Sequence, residues 1–441
     1  MKQSKHNIYY SPKEVRTILE RSIDTALDGL KGYCNDPVSD FTRCRKLPAR
    51  TLIECIMSFS NYSSIGELSH FFVGQGEMPS ASALSQRRQL LDPDIFKRIN
   101  NLFVSAFDDH TTINGYHILA QDGSDVNIPF MDDKTKTEKH DAKSFCQYHV
   151  NALYDCLNKV FYDWSIDAAS KKREVNALIS IMKDRNYPQN SIFTADRGYE
   201  SYNLMAHFIE NDIKFVIRVK DIHTKSGLMT NIKTEEGAFD MRVNRTLTSL
   251  QTKEIKADKE KYIFVPSTSN FDFLDENRDF YDLSFRAVRF KISEDVYETV
   301  VTNLSEEEFK AEDFKELYHY RWNEETAFNK LKYTIGLVYF HARKRKLIQQ
   351  EINAAFLMYN VSEVIIRNID LKKNKKPELE YDYKPNFSSA VTNIRLYLRK
   401  KISMKELIHR IKKFLVGQRP ERSFERNIKG QSCKPLNYRT S

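Results

Sequence analysis

Between Gly115 and Lys220 the hydrophobic periodicity changes repeatedly, and that order limits the possible folds more than any other feature. "GYHILAQD" alternates as a strand ending on Asp122. "QYHVNALYD" and "NKVFYDWSI" read as two more strands around a short turn at Cys156–Asn158. "KKREVNALISIMKDRN" has helical spacing, "SIFTAD" is a buried-strand run ending on Asp196, "SYNLMAHFIEN" is helical, and "IKFVIRVK" is a fifth strand. Three strands, helix, strand, helix, strand is the order of an α/β layer. Asp122 and Asp196 each close an apolar strand and precede a turn-like pair, Gly123-Ser124 and Arg197-Gly198. Carboxylates at the ends of neighbouring strands sit at the mouth of a sheet, where sites form. A strand-terminal Asp is also an ordinary turn starter.

The flanks differ in kind. Residues 1–110 read as helices, the first running through "SPKEVRTILERSIDTALDGLKGY" with Ser before Pro at its start and Gly near its end. Residues 64–73 and 80–91 pose a choice between a helix-turn-helix carrying Arg87 and Arg88 and a plain helical bundle; the long "VGQGEMP" connection favours the bundle. Residues 221–304 hold strand-like runs such as "FDMRVNRTLT" and "YDLSFRAVRFKI", a β-rich insertion set apart from the α/β layer. Helix returns over 305–370, where Ser305 and Glu308 match a capping box. Residues 371–441 form a basic region with a helix over about 388–416.

The charge is uneven. From Arg399 onward there are 13 Lys and Arg against 3 Asp and Glu, a surplus of ten beside a whole-chain net charge of +9. A basic tail on a near-neutral body suits a polyanion, most often nucleic acid; a solvated tail is the plainer reading. No run approaches the roughly 18 apolar residues of a membrane span, and the N-terminus lacks the apolar core of a signal peptide. The six cysteines (34, 44, 55, 146, 156 and 433) show no CxxC pair, which suits reduced thiols in a cytosolic compartment. His140, His149 and Cys146 match no zinc spacing and read as strand residues. Asp125 reads as a turn residue, with a spare-ligand role as the other option.

The stretch from Tyr318 to Lys332, "YHYRWNEETAFNKLK", sets two glutamates among basic and aromatic residues. On a continuous helix at 100° per residue, Tyr318, Arg321, Glu325 and Lys332 fall at roughly 0°, 300°, 340° and 320°. They share one sector beside an apolar stripe of Leu317, Phe328 and Leu331. Glu324, at roughly 240°, falls inside that stripe, so Glu325 is the expected site carboxylate. A plain Arg321–Glu325 ion pair accounts for those two residues, but not for Tyr318 and Lys332 on the same rim.

This Y-x2-R-x3-E-x6-K pattern resembles the signature of DDE transposases from bacterial insertion sequences of the insertion-sequence-4 group. "AQDGSDVNIP" and "TADRGYES" resemble that family's first and second aspartate motifs, in the family's order. The resemblance reaches from about residue 45 to 370. It implies a ribonuclease-H-like core, interrupted by the β-rich insertion between Asp196 and Glu325, with helical N- and C-terminal regions. It also implies a catalytic, metal-binding triad of Asp122, Asp196 and Glu325. The triad would hold two magnesium ions, manganese substituting, about 3.5–4 Å apart, with Asp122 bridging. Tyr318, Arg321 and Lys332 would hold phosphates. The implied activity is cleavage at transposon ends followed by strand transfer. The implied partners are double-stranded DNA, both terminal inverted repeats and target, and a second copy of the chain on paired ends, in the bacterial cytoplasm at the nucleoid and without a membrane. The competing readings are a nuclease that cuts without joining and a domesticated DNA-binding protein. Relatives that form a hairpin stack a flipped base on a Trp of the insertion; here that segment has no Trp, and Tyr297, Phe271 or Phe273 are the aromatic alternatives if they are not core.

Overall fold

The computed structural model describes the chain apart from residues 6–8, 44–45, 75, 140–141, 170–172, 225, 267, 295, 372–381 and 419–441. His140, Cys44, Cys433 and most of the basic tail therefore lie outside the described residues. The chain opens with helices α1 (Pro12–Asp28), α2 (Ala49–Met57), α3 (Ser64–Phe72), α4 (Ala81–Leu90) and α5 (Asp94–Val104). At the start of α1 the Ser11 amide donates to Glu14 at 2.7 Å, the Glu14 amide returns a bond to the Ser11 hydroxyl, and Gly29 ends the helix. α3 and α4 are adjacent, but their arginines turn inward. Arg88 is buried on α4 and donates to Glu351 and to the Leu347 carbonyl, both at 2.7 Å. Arg87 donates to the Leu47 carbonyl and lies over the Phe41 ring. The bundle reading therefore stands, without an arginine-bearing recognition surface on α4.

The sheet is built around β1 (His117–Ile128), β2 (Ala142–Asp155), β3 (Val160–Ala168), β4 (Ser191–Ala195) and β5 (Lys214–Val219). In space they run β3–β2–β1–β4–β5. The first three are antiparallel, while β4 is parallel to both β1 and β5. Parallel neighbours need crossovers, and α6 (Glu174–Asp184) and α7 (Tyr202–Glu210) supply them. This is the ribonuclease-H-like arrangement. β1 is longer than its sequence pattern indicates: β2 pairs with it from Leu119 to Ile128, whereas β4 stops at Ala195. Asp122 thus lies within β1, where its partner on one side ends.

The insertion contains β6 (Phe239–Thr248), a short α8 (Lys253–Ala257), β7 (Tyr262–Phe264), β8 (Phe280–Ser293) and β9 (Val296–Thr302). It does not form a layer of its own. β9 pairs antiparallel with β5, and β8, β6 and β7 follow outward; with a short strand Lys136–Lys139 paired to β2, the sheet has ten strands. The edge of β5 would otherwise present a row of unpaired backbone groups. Phe271 and Phe273 pack on Tyr281, and Tyr297 lies under the Arg289 guanidinium.

After the insertion, Ser305 and Glu308 form their reciprocal bonds, but these close a turn; α9 (Asp313–His319) begins later. α10 (Trp322–Asn329), a π-helical turn (Lys330–Ile335) and α11 (Arg345–Arg367) follow. α11 is buried along nearly its whole length, and its amides join the N-terminal helices to the sheet. Asn353 accepts from the Trp164 indole at 2.8 Å, Asn360 accepts from the Phe161 amide at 2.8 Å and donates to Asn100 at 2.7 Å, and Gln350 donates to the Arg88 and Leu91 carbonyls. Such pairing is what permits amides in a core. The expected basic helix is two, α12 (Phe387–Leu398) and α13 (Met404–Lys413). One apolar core runs through the helices and the sheet.

Candidate active site

Gln121 and Ala195 form the last rung between β1 and β4, so Asp122 and Asp196 follow it side by side. Neighbouring strands lie about 4.8 Å apart. Asp196 caps a short 3₁₀ turn (Arg197–Tyr199), accepting from the Gly198 amide at 2.8 Å. Asp122 accepts from the Gly123 amide at 2.8 Å. A side chain at Gly123 would collide with the His149 ring, and one at Gly198 would begin 2.9 Å from the Asp196 carboxylate. Burial raises the Asp122 pKa; the Gly123 amide and Arg321 oppose that rise, while Asp196 and Glu174 add to it. Asp125 lies further along β1 rather than in a turn, with its carboxylate 2.6 Å from His149 Nδ1.

The stretch from Tyr318 to Lys332 is not one helix. The amides of Arg321, Asn323 and Glu324 bond to the carbonyls of Tyr318, Tyr320 and Arg321, three residues back. That is 3₁₀ winding, tighter than an α-helix, and the π turn from Lys330 is looser. A wheel drawn at a single angle does not hold across both changes. Asn323 donates to the Cys156 carbonyl at 3.1 Å, tying α10 to the β2–β3 turn. Glu324 is fully buried beside Asp122, Arg321 and Asp196. Burial first, and Asp122 second, push its pKa well above the usual carboxylate range. Glu325 is half-buried one position further round. The apolar stripe does bury Glu324, but it buries it against the aspartates.

Of the three expected phosphate-binding residues, Arg321 and Lys332 lie within electrostatic reach of Asp122, and Tyr318 lies beside Arg321. Burial works against the Arg321 charge, yet Tyr318, Asp122, Glu324 and Asp196 outweigh it and raise its pKa. Burial lowers the Lys332 pKa, with Asp125 and Asp122 opposing. Tyr318 is buried, and burial raises its pKa. Among the described residues eighteen buried side-chain nitrogens and oxygens lack a hydrogen-bond partner, and seven of them belong to this one site: both amide atoms of Gln121, both carboxylate oxygens of Glu324, the Tyr199 and Tyr318 hydroxyls and Arg321 Nε. Gln121 lies against Tyr199, Arg321 against Tyr318, and the Asp122 amide near Glu324, all short of hydrogen-bond geometry. Buried polar groups are normally paired, so this concentration marks the place as a candidate site.

A family model described as "Transposase DDE domain" matches residues 113–361, more than half of the chain. The chain belongs to the DDE transposase family. A cryo-electron microscopy structure of the piggyBac transposase synaptic complex with hairpin DNA is similar at a TM-score of 0.45 and 12% identity, covering 96% of this chain and 90% of that one. No curated protein matches the sequence.

Members of the DDE transposase superfamily typically use divalent metal ions. Among the described residues of this DDE protein, no three His, Cys, Asp or Glu side chains are grouped so as to hold an ion. The donor chemistry nevertheless fits a hard divalent cation: Asp122, Asp196 and Glu324 offer only carboxylate oxygens, two of them buried and unpaired, and the Asp122 and Glu324 pKa values are both raised. The sequence reading set Glu324 aside in favour of Glu325 and did not single out Gln121, Tyr199 or Glu174, which the structure places near Asp122. Gln121 did leave a signal, a polar residue inside the apolar run "HILAQ". Glu174, at the first position of a helix, matches the common preference for acidic residues there. Among the described residues no helix is long and apolar enough to cross a membrane.

Proposed function

We propose that this transposase cleaves DNA at the ends of an insertion sequence and joins the freed end to target DNA. The observation that carries the reading is the set of unpaired buried polar groups around Asp122, at adjacent strand ends of a DDE-family fold. Asp122, Asp196 and a glutamate of α10 would hold two magnesium or manganese ions, which supply activation of the attacking oxygen and stabilisation of the leaving one. The signature spacing selects Glu325 as that glutamate and supports the insertion-sequence-4 group; burial beside the aspartates favours Glu324. Arg321 offers a planar fork for a phosphate, Lys332 a point charge and Tyr318 a free hydroxyl. Burial of Arg321 and half-burial of Lys332 strengthen their hold on an anion by reducing screening.

Substrate contacts outside the site would come from the N-terminal helices, the insertion and the segments beyond residue 340. Arg16, Arg50, Arg395, Arg399 and Lys400, with Glu20 and Glu54 paired among them, line a cavity of about 470 Å³ between α1, α2 and the α12 end. The protein would act as a dimer on paired ends, on nucleoid DNA in a bacterial cytoplasm. The domain scheme proposed with it is 1–110 for DNA binding, 111–220 and 305–370 for the core, 221–304 for the insertion and 371–441 for the basic region.

The test is a cleavage and strand-transfer assay on DNA carrying the sequences that flank the gene. Wild type should cut in magnesium and join pre-cut ends. Cutting without joining would identify a nuclease; binding without either would identify a DNA-binding protein. Glu324→Gln and Glu325→Gln decide which glutamate serves: the one whose amide abolishes cleavage is the third carboxylate.

A further inference from the structure

A fourth carboxylate enters this site from α6. The Glu174 carboxylate stands between the turns that follow the two aspartates. One of its oxygens lies 3.0 Å from where a side chain on Gly123 would begin, and the other lies 3.6 Å from the same point on Gly198. The closest contact a side chain would make is with the His149 ring at Gly123 and with the Asp196 carboxylate at Gly198. Glu174 is also within electrostatic reach of Asp122 and Tyr199. Independently, Glu324 beside Asp122 is fully buried with both carboxylate oxygens unpaired.

Glu174 is held in place. Its Oε1 is 3.2 Å from Nε2 of His149, whose side chain is fully buried in β2. The other ring nitrogen of His149 is 2.6 Å from Asp125, and Nε2 also lies 3.1 Å from the Asn151 side-chain oxygen. Ionised carboxylates only accept hydrogen bonds. The buried His149 ring, set between Asp125 and Glu174, fixes the position of the Glu174 carboxylate. A buried histidine and Asp125 thus converge on the placement of one carboxylate.

We propose that Glu174 is a fourth acidic residue of the divalent-ion site, with His149 and Asp125 as its positioning residues. This rests on the function proposed above. Its chemistry is that of an additional anionic oxygen for a divalent ion, or for a water bound to one, on the strand side of the site.

The experiment is Mn2+ titration of the full chain, following the free-ion signal by electron paramagnetic resonance, with melting temperatures recorded in chelator. Wild type should bind, and Asp122→Asn should not. Glu174→Gln should weaken Mn2+ affinity by roughly 10- to 100-fold, with Glu174→Asp retaining part of it. His149→Gln should weaken affinity less than Glu174→Gln. Wild-type affinity in Glu174→Gln, alongside loss in Asp122→Asn, overturns this inference and leaves the proposed function standing. Should Glu174→Gln fail to fold, Glu174→Asp decides: weakened binding supports the role, and unchanged binding makes Glu174 a structural partner of His149 only. Absence of Mn2+ binding by wild type itself would remove the function and this inference together.

Discussion

Among the described residues, two buried ionic clusters are similar in make-up and opposite in completeness. Beneath α3, α4 and α11, Arg88 donates to Glu351, Gln350 and the Leu347 carbonyl. His341 joins Glu351 at 3.1 Å and the Tyr62 carbonyl at 3.0 Å, and Glu67 accepts from the Ser60 and Tyr62 amides. None of the buried unpaired atoms belongs to Arg88, Glu67, His341, Gln350 or Glu351. At the mouth of the sheet seven such atoms surround Asp122. Burial costs a charge the same solvation in either place. The closed cluster recovers it through hydrogen bonds and holds the N-terminal bundle on α11. The open one leaves that cost unrecovered, which is sensible only where a ligand completes the set. A buried charge is therefore informative about function chiefly through what it lacks.

The contrast can be broken by mutation. The largest effect is expected from Asp122→Asn: cleavage falls by roughly 10³-fold or more, while thermal unfolding shows equal or greater stability without metal. Loss of stability in step with activity would make Asp122 a structural residue. Glu351→Gln should do the reverse, costing about 3–5 kcal/mol in denaturant unfolding because Arg88 and His341 lose their partner. Its cleavage rate per folded molecule should stay near wild type.

A pH scan sharpens the same difference. Burial alone would lower the His341 pKa, but Glu351 and Glu67 outweigh it and hold it up at about 9. A pKa raised on folding stabilises fully below the unfolded value, about 6.5, and that stabilisation is lost as pH rises through 9. Stability should therefore decline between pH 7 and 10 by up to about 3 kcal/mol, and His341→Gln should flatten the decline. A slope that survives the substitution would place its origin elsewhere. The smallest effect is expected at Glu324. With no hydrogen bond to lose and repulsion to shed, Glu324→Gln should stabilise the metal-free protein by about 1 kcal/mol; destabilisation would show that Glu324 is satisfied by a partner in solution.

How far the sequence revealed all this depends on which physics each residue obeys. The five core strands and their helices were legible because burial imposes its period directly on "SIFTAD" or "IKFVIRVK". Asp122 and Asp196 were legible as the polar stops of such runs. The extension of β1 to Ile128 was not, because β2 alone stabilises it and pairing between strands leaves no mark in either one. Attachment of the insertion to β5 was hidden for the same reason. The orientation of Glu324 depends on 3₁₀ and π winding around α10, and a helical wheel presumes neither. Glu174 and His149 are brought to the site by tertiary contact alone.

The most direct measurement is magnesium-dependent release of a free 3′-hydroxyl from DNA bearing the gene's flanking repeats, comparing wild type with Asp196→Asn at equal DNA occupancy. The open acidic cluster predicts cutting by wild type and none above background by the variant. Equal cutting by both, or intact DNA with both bound, would contradict it.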